Sequence, residues 1–252
     1  MKYVRFSNNS SNARYGVLKG DTIKEIEGDI FGKHAVTDKT YIRNEVKILP
    51  PCEPTKIVGV GLNYSEHAEE MGSELPEEPR IFLKPHTAVI ADGENIKYPD
   101  YMSRRVDFEG ELGVVIGKRT SHVSMEEALE YVFGYTCVND VTARELQKKD
   151  IQFTRAKGFD TFAPVGPVIE TELDPDKLEI STYLNGELKQ HSNTSHLIFG
   201  VPHLVSFISQ VMTLLPGDVI STGTPKGVAP MKKGDRVQVK LEGIGTLTNY
   251  VE

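Results

Sequence analysis

Short apolar runs, broken repeatedly by Gly and Pro, restrict the folds open to this chain more than any other feature. They lie at 57–60, 81–84, 88–90, 111–116, 165–169, 179–184, 218–222 and 236–241, and each predicts a strand. With 22 Gly and 14 Pro among 252 residues, turns are available between all of them. Helical patterns are too sparse between these runs for a doubly wound sheet. The expected fold is therefore mainly β with a few helices, α+β in class, built as a roll or sandwich. Capping signals place the helices. Ser65 caps one over 66–71 that stops near Gly72. Ser124-x-x-Glu127 is a capping box opening 125–133 with Gly134 as C-cap, and Thr142-x-x-Glu145 is a second box. Pro202, at a first helical position, opens an apolar helix through about Met212.

Ahead of these runs, residues 1–50 predict a small N-terminal β domain. Tyr3-Val4-Arg5-Phe6 alternates, and 14–18, 19–21 and 22–26 form strand, turn and strand. Pro50, Pro51 and Pro54 make a stiff connector to a second domain over 51–252. The 29 basic and 36 acidic residues leave a formal charge of −7. No Lys/Arg block stands out, so neither nucleic acid nor an anionic membrane surface is an expected partner. Cys52 and Cys137 are too few for a disulfide framework and lack metal-ligand spacing. The first sixteen residues have no signal-peptide core, and no apolar run approaches membrane-spanning length. The expectation is a soluble, cytoplasmic protein.

Within the run Val106–Gly117, which reads as one strand, Glu109 and Glu111 stand two residues apart. A strand sends such side chains to the same face. Two carboxylates about 4 Å apart repel by roughly 4 kcal/mol at an effective dielectric of 20. A hard divalent cation offsets that repulsion, because Mg²⁺ takes its oxygen ligands from carboxylates and water. Asp140, closing the run 132–140, is a third candidate ligand. The alternative is an exposed strand face with solvated carboxylates. His67 and Glu70 are three apart on the short helix, where a carboxylate makes an imidazole a better general base; a plain surface pair is the other reading. Lys84 ends a strand and is either a site residue or a lysine reaching solvent. Lys157 is placed to stabilise an oxyanion or a substrate carboxylate, unless it is an ordinary loop lysine. Gly59-Val60-Gly61 lacks the third glycine of a dinucleotide fingerprint, and Gly223-Thr224-Pro225-Lys226-Gly227 lacks the ending of a phosphate loop.

Taken together, these segments resemble the fumarylacetoacetate hydrolase family. The resemblance rests on Gly61-x-Asn63-Tyr64-x-x-His67-x-x-Glu70, Phe82-Leu83-Lys84-Pro85, 106–112, Asn139-Asp140-Val141-Thr142-Ala143-Arg144, Ala156-Lys157-x-Phe159-Asp160 and 216–228. It runs from about residue 50 to 252 in one order. It implies the family's mixed β-sandwich roll, with a short β extension in front. It implies Glu109, Glu111 and Asp140 as Mg²⁺ or Mn²⁺ ligands, with water where longer members have a fourth carboxylate. His67 and Glu70 match a dyad on a lid that orders with substrate, and Lys157 matches the lysine near the metal. Gln147 and Thr224 match substrate-orienting residues, with Asn63, Tyr64 and Lys84 also assigned to substrate binding. Leu62 departs from the Arg of many acylpyruvase-like members, and Arg104 and Arg105 are candidate replacements. The acidic, Pro-containing loop 72–79 should be mobile when the site is empty.

By this resemblance the reaction is hydrolytic carbon–carbon cleavage of a 2,4-diketo, acylpyruvate-like acid through a metal-stabilised enolate. The His67–Glu70 dyad would activate the water. The same chemistry allows decarboxylation of oxaloacetate, keto–enol tautomerisation, or isomerisation of a hydroxydiene diacid, and sequence does not separate these. The implied partners are a small 2-oxo acid and a second copy of the chain in a homodimer. A β module with purely structural Ca²⁺ is a reading from another class, and it gives His67, Glu70 and Lys157 no joint task.

Overall fold

The computed structural model describes residues 1–8, 12–70 and 72–252. Strands come first: β1 (Lys2–Ser7), β2 (Arg14–Lys19), β3 (Thr22–Gly28), β4 (His34–Ile42), β5 (Lys47–Leu49) and β6 (Lys56–Gly61) precede helix α1 (Ser65–Glu70). Then follow β7 (Arg80–Pro85), β8 (Val89–Ile90), β9 (Asn95–Ile96), β10 (Val106–Phe108), β11 (Gly110–Ile116), β12 (Val132–Asn139) and β13 (Thr142–Ala143). Helices α2 (Arg144–Lys149) and α3 (Thr154–Lys157) lead into β14 (Ala163–Glu170), β15 (Glu179–Leu184) and β16 (Glu187–Asn193). The chain ends with α4 (Val201–Val211), β17 (Val219–Ser221), β18 (Ala229–Met231), β19 (Arg236–Leu241) and β20 (Gly245–Val251).

These strands form a large mixed sheet in the order β4-β3-β2-β1-β14-β12-β11-β17-β6-β7, a three-stranded sheet β13-β10-β18, and a five-stranded sheet β16-β15-β19-β20-β9. Strands β1–β4 therefore extend the same sheet that carries β11, joined through β1 and β14. All seven residues of β11 are buried, as an apolar run covered on both faces should be. Leu112 and Val114 share a core with Ile180, Val239 and Leu241 of the five-stranded sheet and with Leu204 and Ile208 of α4. That packing fixes the start of β11, where Glu111 lies and which Glu109 precedes. No helix among the described residues is long and apolar enough to cross a membrane.

Three expectations change. The run 106–117 is not one strand: β10 belongs to the three-stranded sheet and β11 to the large one, and the chain changes sheet at Glu109. The Ser124–Glu127 box does form, with the Ser124 hydroxyl accepting from the Glu127 N–H at 3.3 Å. It opens only a 3₁₀ turn at Ala128–Tyr131, because 132–139 is taken by the ladder with β11 and β14. Thr142 sits in β13 and donates to the Asp140 carbonyl instead of capping α2, which starts at Arg144. Helix α4 begins where Pro202 indicated. The expected end of α1 at Met71 lies outside the described residues.

Gly110, the first residue after the sheet change, packs against β15. A Cβ there would lie 2.0 Å from the Thr182 hydroxyl and 3.3 Å from Val239. Gly110→Ala should cost about 1–3 kcal/mol through overpacking. In a chain of this size that is roughly 2–4 °C of melting temperature per kcal/mol, readable by thermal unfolding. An unchanged midpoint would contradict the tight packing described.

Candidate active site

The sheet change at Glu109 shapes the site. Asn139 Oδ1 accepts the Glu109 N–H at 3.0 Å, and the Asp140 N–H donates to the Glu109 carbonyl at 2.8 Å. Those two bonds dock the end of β12 against the break in the chain. Carboxylate oxygens of Glu109, Glu111 and Asp140 then lie within 4.8 Å of one another, all three residues being buried. The convergence inferred from alternation is present, though a kinked backbone produces it. The solvated-face alternative is excluded by the burial.

Each carboxylate has partners from a different element. Glu109 accepts from Arg144 and, at 2.8 Å, from Lys157 Nζ. One oxygen of Glu111 accepts from the Ser221 hydroxyl and, at 2.8 Å, from the Gly223 N–H. Asp140 accepts from Lys84 and Lys157. Lys84 is thus no strand-end lysine reaching solvent: it is fully buried, and its Nζ also donates to the Val141 carbonyl at 3.2 Å. Arg144 continues to Asp107 at 2.8 Å and to Gln147 at 2.6 Å, and Asp107 also accepts from Arg105.

The electrostatics divide the two glutamates. Burial alone would raise the Glu109 carboxyl, but the Lys157 ammonium and the Arg144 guanidinium outweigh it and hold Glu109 well below the usual carboxylate range. Glu111 lacks a cation of its own. Burial, followed by the negative charges of Asp140 and Glu109, pushes it up to about 8. Burial likewise lowers Lys84, with Asp140 opposing. The four cations Lys84, Lys157, Arg105 and Arg144 pair with Asp140, Glu109 and Asp107, and none of them pairs with Glu111. This hard, oxygen-only donor set, with one Glu111 oxygen free of any donor, fits a divalent cation such as Mg²⁺ or Mn²⁺.

Above the carboxylates opens a cavity of about 260 Å³, lined by His67, Leu62, Arg80, Phe82, Gln147, Lys148, Phe153, Lys157 and Thr224 as well as the acidic trio and Arg144. Phe82 crosses its floor because Gly59 opposite has no side chain; a Cβ there would be 2.3 Å from the ring. Lys157 Nζ lies 4.9 Å from the centre of that ring. His67 is buried, with its Nδ1 3.0 Å from Glu70, whose other oxygen accepts the Gly227 N–H at 3.0 Å. The pair is therefore an anchored dyad. Leu62 enters the cavity from a left-handed backbone (φ 55°), a conformation costly for a branched side chain and concentrated at functional sites.

Several assignments take another place. Asn63 is fully buried and spends its amide on the Phe199 backbone and the Thr222 carbonyl, clamping the loop that presents Gly223 to Glu111. Tyr64 is fully buried, and its hydroxyl has no hydrogen-bond partner among the described residues. Asn63, Tyr64 and Lys84 are absent from the cavity wall, so they support the site from behind. Arg104 and Arg105 do not reach the cavity either: Arg105 is held by Asp107. The guanidinium groups present are those of Arg144, which stood in a quoted motif without a role, and Arg80, which no sequence pattern marked.

The fold and site define a β-rich enzyme class whose chemistry centres on buried carboxylates. Residues 56–252 match the fumarylacetoacetate (FAA) hydrolase C-terminal family and residues 1–51 the Rv2993c-like N-terminal family. The chain belongs to the fumarylacetoacetate hydrolase family, whose members depend on a divalent metal. Protein Rv2993c of Mycobacterium tuberculosis is 48% identical over 233 residues, 91% of this chain and 88% of that protein. Oxaloacetate tautomerase YisK of Bacillus subtilis is 42% identical over 225 residues, 84% of this chain and 75% of that protein. The crystal structure of 2-hydroxyhepta-2,4-diene-1,7-dioate isomerase from Mycobacterium marinum has a TM-score of 0.92 at 43% identity, covering 100% of this chain and 98% of that one.

Metal binding should be coupled to a proton. In the metal-free fold Glu111 holds its proton up to about pH 8, so a cation binding below that pH must expel it. Apparent affinity should then weaken about tenfold for each pH unit below 8. Calorimetry in buffers of different ionisation enthalpy should find close to one proton released at pH 6.5 and almost none at pH 9. Equal release at both would contradict the assignment.

Proposed function

We propose that this protein interconverts the keto and enol forms of a 2-oxo diacid of the oxaloacetate kind. The observation that carries the reading is the cavity lining: Arg80 and Lys148 stand in the same cavity as the carboxylate trio, with no acidic partner among the described residues. Two free cations suit a second carboxylate at the far end of the substrate. The 2-oxo end would lie at the trio, where a bound Mg²⁺ or Mn²⁺ supplies Lewis acidity toward the keto oxygen.

The remaining roles follow from this chain's own groups. The Glu70 carboxylate only accepts, so His67 Nδ1 carries its hydrogen toward Glu70 and Nε2 is left as the base. Nε2 would take a proton from C3 and return it to carbon or oxygen, while Glu70 stabilises the transient imidazolium. The Lys157 ammonium, fixed between Glu109 and Asp140, offers positive charge as the keto oxygen becomes negative. Phe82 and Phe153, with ring centres 5.7 Å apart, cover an apolar wall that limits water around the reacting carbon. The names of YisK and of the M. marinum isomerase support this order of preference over the hydrolysis that the sequence put first.

The test is the decay of the enol absorbance of oxaloacetate with protein stripped of metal and then resupplied with Mg²⁺. The account expects metal-dependent decay without pyruvate release, and solvent deuterium at C3. His67→Ala should lower kcat by about 10²–10⁴-fold. Arg80→Met should raise KM for oxaloacetate about tenfold, a loss of roughly 1.4 kcal/mol, and leave enolisation of pyruvate almost unchanged. Hydrolysis is the second reading, favoured by the same anchored dyad, which could equally draw a proton from water. Stoichiometric acetate and pyruvate from acetylpyruvate, with oxaloacetate untouched, would replace the tautomerase reading with it.

A further inference from the structure

Gln190 on β16 does not itself line the cavity, yet its amide joins the two halves of the site. It is 1% exposed, and its position faces Thr182 of β15 in the ladder. Oε1 accepts the Gly110 N–H at 3.0 Å. Gly110 is the residue between Glu109 and Glu111, at the change of sheet. Nε2 donates to the Thr224 hydroxyl and to the Pro225 carbonyl, both at 2.8 Å. Thr224 in turn donates to the Gly110 carbonyl at 2.9 Å, so one amide and one hydroxyl satisfy both backbone groups of Gly110.

The same loop reaches the dyad. Two residues beyond Pro225, Gly227 has a left-handed backbone (φ 101°) and lies so close to Lys189, the neighbour of Gln190, that a Cβ would be 2.1 Å from its carbonyl. From that position its N–H holds Glu70, and Glu70 holds His67. A continuous path therefore runs from the carboxylate strand through Gln190 to the 224–227 loop and on to the imidazole. We propose that Gln190 is a positioning residue that keeps the carboxylates and the His67–Glu70 dyad in one register. The inference rests on the reading of the trio as a metal site.

The primary variant is Gln190→Met, which keeps the length of the side chain and removes all three hydrogen bonds. Second-neighbour substitutions of this kind cost about 10–100-fold in metal affinity or activity. Mn²⁺ affinity by calorimetry and kcat for oxaloacetate enolisation should both fall by that factor in folded protein, with faster amide exchange at Gly110 and Gly227. Gln190→Glu, the second variant, keeps an acceptor beside Gly110 and loses the donor to Thr224 and Pro225. It should hold Mn²⁺ within about threefold of wild type while kcat falls about tenfold or more. Wild-type Mn²⁺ affinity and kcat in folded Gln190→Met would overturn the proposal. Should that variant not fold, wild-type kcat in Gln190→Glu would do the same. Wild-type protein that binds no Mn²⁺ would overturn the metal reading and this proposal together, whereas binding that Gln190→Met leaves untouched removes only this proposal.

Discussion

Everything at the centre of this protein answers to one electrostatic constraint: buried carboxylates share a space in which the cations pair with Glu109 and Asp140 but not with Glu111. Glu109, Glu111 and Asp140 are each at most 5% exposed. Lys84 and Lys157 reach two of them from β7 and α3, and Arg144 at the head of α2 serves Glu109 and Asp107 together. Removing either partner of such a buried pair typically costs about 3–5 kcal/mol, because the other charge is left uncompensated. The surrounding elements are consequently tied to the cluster as firmly as to their own sheets. Glu111 is left with neutral donors only, and that is where a cation belongs.

The architecture delivers those groups from separated stretches of chain. Changing sheet at Glu109 lets one short segment serve two layers, with β10 packed beside β13 and β18 and β11 in the middle of the large sheet. Glycines at close approaches make this possible: Gly110 against Thr182, Gly59 beneath Phe82, and Gly223, whose N–H reaches Glu111. Each allows backbone or ring to come nearer than a side chain would permit. The dyad is held differently, by a carboxylate anchored to the loop that follows Thr224.

Much of this was legible in the sequence, and what was not has physical reasons. The acidic trio, Lys157 and the His67–Glu70 pair stood in spaced motifs, and strands buried on both faces announced themselves as continuous apolar runs. The break at Glu109 was hidden because alternation records which face a side chain takes, not which neighbour the backbone pairs with. Strand β4 was missed because it is exposed almost throughout and carries no alternation. The box at Ser124 is real, but the ladder over 132–139 claims the residues a longer helix would need. Asn63 and Lys84 stood in the quoted motifs, but their bonds to Thr222 and Asp140 did not show there, since a polar residue that braces a site and one that touches substrate look alike in one dimension. Arg80 and Gln190 carried no signal at all: their significance lies in partners, or the lack of them, far along the chain.

The central claim is that the carboxylates at the sheet change hold a divalent ion, and anomalous diffraction from crystals grown with Mn²⁺ examines it most directly. The account predicts one strong anomalous peak in the cavity, at hard-cation contact distance of about 2.1 Å from an oxygen of each of Glu109, Glu111 and Asp140. A protein that binds Mn²⁺ stoichiometrically in solution but shows its peak elsewhere, or touching none of the three, would contradict it.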